Sequence, residues 1–172
     1  MPLSDVEPRL DSADATAQVV AYLDYYRAAV ARKIDGLSDD QLRRSVLPSG
    51  WTPLELLCHL VHMERRWFRW GFLGEPVEDP WGDHADGDPD GPWQVPPGTT
   101  RDDLLAALHD GGARTRQVLT AHAPHERGAL GGRFTADPPT LTWICFHVLQ
   151  EYARHAGHLD VVRELVDGGL GE

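Results

Sequence analysis

Residues 141–166 read LTWICFHVLQEYARHAGHLDVVRELV, and the reading of this stretch decides the fold. Ile144, Val148, Val162 and Leu165 recur at the three- and four-residue spacing of one helical seam, which predicts a long helix with a core-facing side. Glu151, His155 and His158 interrupt that seam midway. A carboxylate facing a core is costly unless it is paired or bound to a cation. Glu151 and His155 stand four residues apart, so their ends reach one point above the helix face. That spacing suits two ligands of a single metal ion.

Working outward, three further helices are predicted. The first runs from about Asp14 to Gly36, with Val19, Leu23, Tyr26, Val30, Ile34 and Leu37 as its apolar stripe and Gly36 as its stop. Ser38 and Gln41 then form a capping box for a short connecting turn. The second main helix starts at Pro53, because Thr52-Pro53-Leu54-Glu55 supplies an N-cap hydroxyl, proline at the first helical position and Glu three residues after the cap. Its apolar rows, Leu54-Leu57-Val61-Phe68 and Leu56-Leu60-Met63-Trp67, cover a wide arc that includes His59, while Glu64, Arg65, Arg66 and Arg69 mark the expected wet side. The third begins at the Thr100–Asp103 capping box and runs to about His122. Gly111-Gly112 weakens its middle by about 1 kcal/mol per glycine, or marks close helix packing. Thr140 or Thr142 caps the last helix, and Asp167-Gly168-Gly169 ends it. No alternating strand pattern of useful length is present. The expected fold is all-α, a single domain over residues 1–172 forming an up-down-type four-helix bundle with a long crossover between its second and third helices.

That crossover, 71–99, is rich in Pro, Gly and Asp and too long for a tight turn. Asp86, Asp88, Asp90 and Gly91 mimic the start of a calcium loop, but Pro97 stands where the bidentate Glu belongs, so plain turn chemistry is the expectation. Trp81 and Trp93 are read as exposed, serving an interface or a lid.

Composition narrows the function. The chain has 172 residues, 41% of them hydrophobic, and a formal net charge of -11. It is long enough for a proper core, and it lacks the basic stripe of a nucleic-acid binder. Two cysteines, Cys58 and Cys145, exclude a disulfide framework and a cysteine zinc cluster. The opening MPLSDVEPRLD has no hydrophobic run of signal-peptide length and no later apolar run spans a bilayer, so a soluble cytoplasmic protein without membrane or nucleic-acid partners is expected.

A catalytic zinc site takes three protein ligands and keeps one position open. Glu151 and His155 supply two, and His59, the histidine most deeply set in an apolar pattern on another helix, is the best third. Spacing leaves a second reading open, with His59 a hydrogen-bonded core histidine and Glu151 paired with an arginine. His158 is read as ligand, supporting group or general base. His62 and His147 are read as supporting or structural groups. His84, His109, His122 and His125 are expected to be solvated, and both cysteines to be small buried hydrophobes.

GWTPLELLCHLVHMERRWF (50–68) and LTWICFHVLQEYARHAGHLDVVRELVDG (141–168) resemble the second and fourth helices of the DinB-like (YfiT-like) superfamily of metal-binding four-helix bundles. They are especially similar to its actinobacterial branch related to mycothiol-dependent maleylpyruvate isomerase, and the likeness covers essentially the whole chain. The resemblance implies a divalent metal, zinc or sometimes nickel, held by one histidine of the second helix and two ligands four apart on the fourth. Many relatives carry HxxxH there. The mycothiol-dependent branch carries ExxxH, matched here by Glu151 and His155, with His59 as the second-helix ligand. His158 falls where many relatives have Gln, so the match does not support it as a ligand, and it stands as the catalytic, proton-handling candidate. The implied activity is thiol S-transfer, in which mycothiol or a similar thiol attacks an electrophilic small molecule, with Arg154 or Arg65 as candidates to meet a substrate carboxylate. Metal-dependent hydrolysis is a second reading. A non-catalytic, stress-associated metal-binding module, marked by a fourth protein ligand such as His158, is a third. Relatives of this kind also lead to the expectation of a homodimer.

Overall fold

The structure is a computed structural model that describes residues 6–9 and 11–170. Residues 1–5, part of the opening read above for a targeting segment, lie outside it. The elements are α1 (Ala15–Ile34), a short α2 (Asp39–Leu42), α3 (Pro53–Arg65) continued by a π-helical segment (Arg66–Phe72), a 3-10 turn (Ala85–Gly87), α4 (Arg101–Ala121) and α5 (Leu141–Asp167). The described residues are thus all-α, with isolated bridges and no strand. Both α1 and α3 pack against α4 and α5. Their apolar faces meet in a core that includes Leu23, Val30, Leu57, Leu60, Ile144, Val148 and Tyr152, all fully buried.

The local signals explain where the helices begin. Asp14 caps α1 by accepting from the Thr16 and Ala17 amides, and reciprocal capping boxes close at Ser38/Gln41, Thr52/Glu55 and Thr100/Asp103. Thr140, not Thr142, caps α5 by accepting from the Trp143 amide, and Gly168 ends it in the left-handed region at φ 75°. Among the described residues no helix is long and apolar enough to cross a membrane.

Two expectations about helix faces fail. Leu165 is 58% exposed, because the α5 seam leaves the core after the buried Val162. Glu64 and Arg66, expected on the wet side of α3, are 3% and 2% exposed. Glu64 is buried because three other helices bring donors to it: Arg27 from α1 donates Nε at 3.0 Å and Nη2 at 2.5 Å, Thr115 from α4 donates Oγ1 at 2.5 Å, and Tyr152 from α5 donates its hydroxyl at 2.5 Å. Burial, reinforced by the Glu64 charge, raises the Tyr152 hydroxyl well above its ordinary range and keeps it a donor. Burial alone would depress Arg27, but Glu64 outweighs it and the guanidinium is held above its usual range. The close-packing alternative for the α4 glycines holds at Gly112, where a Cβ would stand 2.9 Å from Arg27 Nε, whereas Gly111 has nothing within 4 Å.

The π-helical segment was not foreseen. Its widened turn carries Trp67 and Trp70, and it anchors the loop between α4 and α5, since Phe72 O accepts from the Ala129 amide (2.8 Å) and Trp70 O from the Arg133 amide (3.1 Å). Gly132 permits that approach, because a Cβ there would run into the Trp70 carbonyl oxygen.

Removing one partner of a buried ion pair strands the other charge. Arg27→Met should therefore cost roughly 3–5 kcal/mol in urea denaturation, and adding Glu64→Met to it should restore much of the loss. Additive losses in the double variant would show that Glu64 is satisfied without Arg27.

Candidate metal centre

His59 is presented by α3, and Glu151 and His155 by successive turns of α5. One ligand atom from each lies within 4.8 Å of the others. Their side chains are only 12%, 17% and 7% exposed. Glu151 Oε2 stands 3.2 Å from His155 Nε2, close to the roughly 3.4 Å that separates two ligands on a tetrahedral ion with bonds near 2.1 Å. Two imidazole nitrogens and one carboxylate oxygen form a donor set that suits zinc and leaves room for a fourth group. The residues present therefore fit a divalent cation.

The alternative in which an arginine neutralises Glu151 finds no such partner among the described residues. Its ionic neighbours are His155 and, at 3.8 Å, His147 Nε2. A hydrogen bond from His155 holds the Glu151 carboxyl below its ordinary value against the opposing effect of burial.

Each imidazole of the triad is oriented by a group behind it. His59 Nδ1 lies 3.0 Å from Asp83 Oδ2. An ionised carboxylate only accepts, so the proton sits on Nδ1 and the lone pair on Nε2. His155 turns Nε2 to Glu151, while its Nδ1 meets His158 Nδ1 at 3.3 Å. His158 thus touches the ring nitrogen that does not face Glu151, and it belongs to neither group of converging ligand atoms.

Asp83 comes from the crossover and is fully buried. Arg66 clamps it with two bonds, Nη1 to Oδ1 and Nη2 to Oδ2, the latter at 3.0 Å. Burial alone would raise this carboxyl, but bonds from His59 and Arg66 pull it down to about 2. The crossover is therefore part of the centre, and three expectations about it are corrected. Trp93 is half-buried and stacks on His59 with ring centroids 4.3 Å apart and 19° between planes. Trp81 is half-buried under the Arg66 guanidinium, 4.3 Å from its centroid. His84 is 7% exposed, not solvated, with Nδ1 donating to Gly91 O at 3.0 Å. The acidic turn at Asp86, Asp88 and Asp90 is exposed and forms no converging group.

A second group, His59, Asp83 and His84, also brings ligand atoms within 4.8 Å. Its carboxylate is already neutralised by Arg66, whose charge would repel a second cation, so the Glu151 group is the better site. His62 accepts from Arg65 Nη2 at 3.1 Å, and burial lowers it to about 4, so it stays neutral. The two cysteines are buried as expected. Burial pushes Cys58 up to about 12, with Asp83 adding to the effect, and burial pushes Cys145 up to about 12 as well. Neither supplies a thiolate near neutral pH.

Asp83 gives a pH dependence of known sign. Its folded value of about 2 lies below its ordinary 3.8, so it stabilises the fold above pH 3.8 and loses that contribution as pH falls toward 2. Asp83→Asn should cost about 2 kcal/mol at pH 6, and the gap to the parent should narrow between pH 4 and pH 2.5 in denaturant titrations. A gap that stays constant over that range would mean the carboxylate charge contributes nothing.

With this geometry in view, comparison with known proteins places the chain. A comparison with curated proteins gives no match. The family model for mycothiol S-transferases matches residues 18–168, a span that contains His59, Asp83, Glu151, His155 and His158. The chain belongs to the mycothiol S-transferase family, a DinB-like family related to mycothiol enzymes.

Proposed function

We propose that this protein transfers the sulfur of mycothiol, or a similar low-molecular-weight thiol, to an electrophilic small molecule, with zinc held by His59, Glu151 and His155 and nickel as the alternative metal. In this reading the four long helices form an up-down bundle and the crossover closes over the ligands. The observation that carries the proposal is the convergence of these three ligand atoms within 4.8 Å in a chain of this family.

When bound, a divalent cation with an open position depresses the pKa of a coordinated thiol, so that thiolate is present near neutral pH. The remaining work falls to the chain. Asp83 leaves the His59 Nε2 lone pair free, and with Nε2 of His155 given to an ion its Nδ1–H would donate to His158 Nδ1, which makes His158 a positioning residue rather than a proton donor to substrate. Trp93, stacked on His59, keeps water from one side of the site. The buried thiols of Cys58 and Cys145 are too basic to serve, so the nucleophile comes from outside. Addition to an activated alkene breaks the thiol S–H bond, forms one S–C bond and opens the C=C π bond, and the proton the thiol gives up is returned through water to the adjacent carbon, with no oxidant required.

The placement of His158 behind His155 favours this reading over a structural clamp, which would need a fourth ligand from the protein. His59→Ala and His155→Ala should each abolish stoichiometric zinc binding in competition with a chromogenic chelator. Asp83→Asn should weaken it about 10–100-fold, as loss of a supporting carboxylate does. Tight zinc in either alanine variant would show that the ligand set is wrong. If fully metal-loaded protein neither binds mycothiol nor accelerates its conjugation, the transferase reading falls.

A further inference from the structure

Among the described residues, Arg65 and Arg133 each carry a buried guanidinium nitrogen without a hydrogen-bond partner, and Arg65 alone of the two has other acceptors, His62 and the Asp79 carbonyl. Arg133, in the loop between α4 and α5, lays its guanidinium over the Trp67 ring at 4.2 Å, with the Trp81 centroid at 5.3 Å. Its Nη1 is buried and has no hydrogen-bond acceptor among the described residues, and no carboxylate pairs with it there. Arg66 occupies a similar place over Trp81 but is neutralised by Asp83. Aromatic faces attract a cation but offer no acceptor for its N–H groups. A half-buried guanidinium so placed is under-satisfied, and its planar fork matches a carboxylate.

Two separate paths of contact join Arg133 to the triad. On one side it lies over Trp67, whose ring is 4.3 Å from that of His147, and His147 Nε2 is 3.8 Å from Glu151 Oε1. On the other it lies near Trp81, which also carries Arg66, and Arg66 holds the Asp83 that orients His59. Arg133 is thus linked to Glu151 through Trp67 and His147, and to His59 through Trp81, Arg66 and Asp83. The loop is fixed there by the Arg133 amide bonded to Trp70 O. The sequence-level candidates are placed less well. Arg65 gives Nη2 to His62 and to Asp79 O and lines a separate cavity with Glu64, Phe68 and Thr115, and Arg154 is exposed.

We propose that the Arg133 guanidinium, backed by Trp67 and Trp81, receives a carboxylate of the electrophilic substrate, so that the preferred electrophiles are anions. The inference rests on the thiol-transfer reading, with the thiol sulfur at the triad and Arg133 holding the far end of the second reactant.

The test has a binding arm and a kinetic arm. Titration of the metal-loaded protein with succinate, read by tryptophan fluorescence, should give a saturable change that weakens about tenfold or more in Arg133→Met and less in Arg133→Lys, which keeps the charge without the fork. With mycothiol as the thiol, Arg133→Met should raise KM for monomethyl fumarate by about tenfold or more and leave dimethyl fumarate within about twofold. Unchanged succinate binding in Arg133→Met, or equal losses on both esters in both variants, would overturn the proposal. Succinate binding that depends on Arg133, in a protein that conjugates neither ester, would support the anion site and remove the transferase reading.

Discussion

A carboxylate taken out of water must be met by something positive, and this fold meets that constraint in three different ways. Glu64 is met by Arg27, with hydroxyl donors from Thr115 and Tyr152 completing its shell. Asp83 is met by Arg66 and by the Nδ1 proton of His59. Among the described residues Glu151 has only imidazoles as ionic partners, His155 at 3.2 Å and His147 at 3.8 Å. The first two arrangements are closed, because a bidentate guanidinium leaves little for another cation to do. The third is open, since a neutral imidazole carries a lone pair and can share a metal ion with the carboxylate beside it. The difference between a structural ion pair and a candidate metal centre is here a difference between arginine and histidine as the partner.

The closed pairs are what hold the open one in place. The Arg27–Glu64 cluster ties α1, α3, α4 and α5 together through side chains from all four helices, which fixes α3 against α5 and so His59 against His155. The Arg66–Asp83 pair ties the crossover to the end of α3 and sets which nitrogen of His59 is free. Glu64 and Arg66 sit two residues apart near the junction of α3 with the π-helical segment, where one faces the core and the other the crossover. That change of helical pitch lets neighbouring residues serve both roles, in keeping with the tendency of π-type turns to occur at functional sites.

These relations also explain what the sequence could and could not reveal. The helix starts were legible because capping is local: Thr52, Thr100 and Thr140 each bond within three residues of themselves. Glu151 and His155 were legible because four residues bring them to one face, and His59 because it interrupts an apolar row. Glu64 was misplaced because its charge pointed to water, and its main partner Arg27 lies 37 residues away. Asp83, His84 and Trp93 were lost in a Pro- and Gly-rich crossover, where composition says surface and only the fold shows the segment lying on α3. The run Trp81-Gly82-Asp83-His84 was the available signal, since an aromatic residue beside two possible ligands is unusual for a solvated turn.

Arg66 and Arg133 carry the same logic one step further. Both lie against Trp81, and like charges so placed oppose each other: Arg133 is lowered to about 10, by burial first and by Arg66 second. Asp83 answers Arg66 alone. The Arg133 guanidinium is left without a carboxylate among the described residues, and on the proposed reading an anionic guest would meet it there, even though the protein carries a net charge of -11. On that reading the selectivity for an anion would lie in the site, where desolvated charges act strongly, rather than in the screened field around the protein.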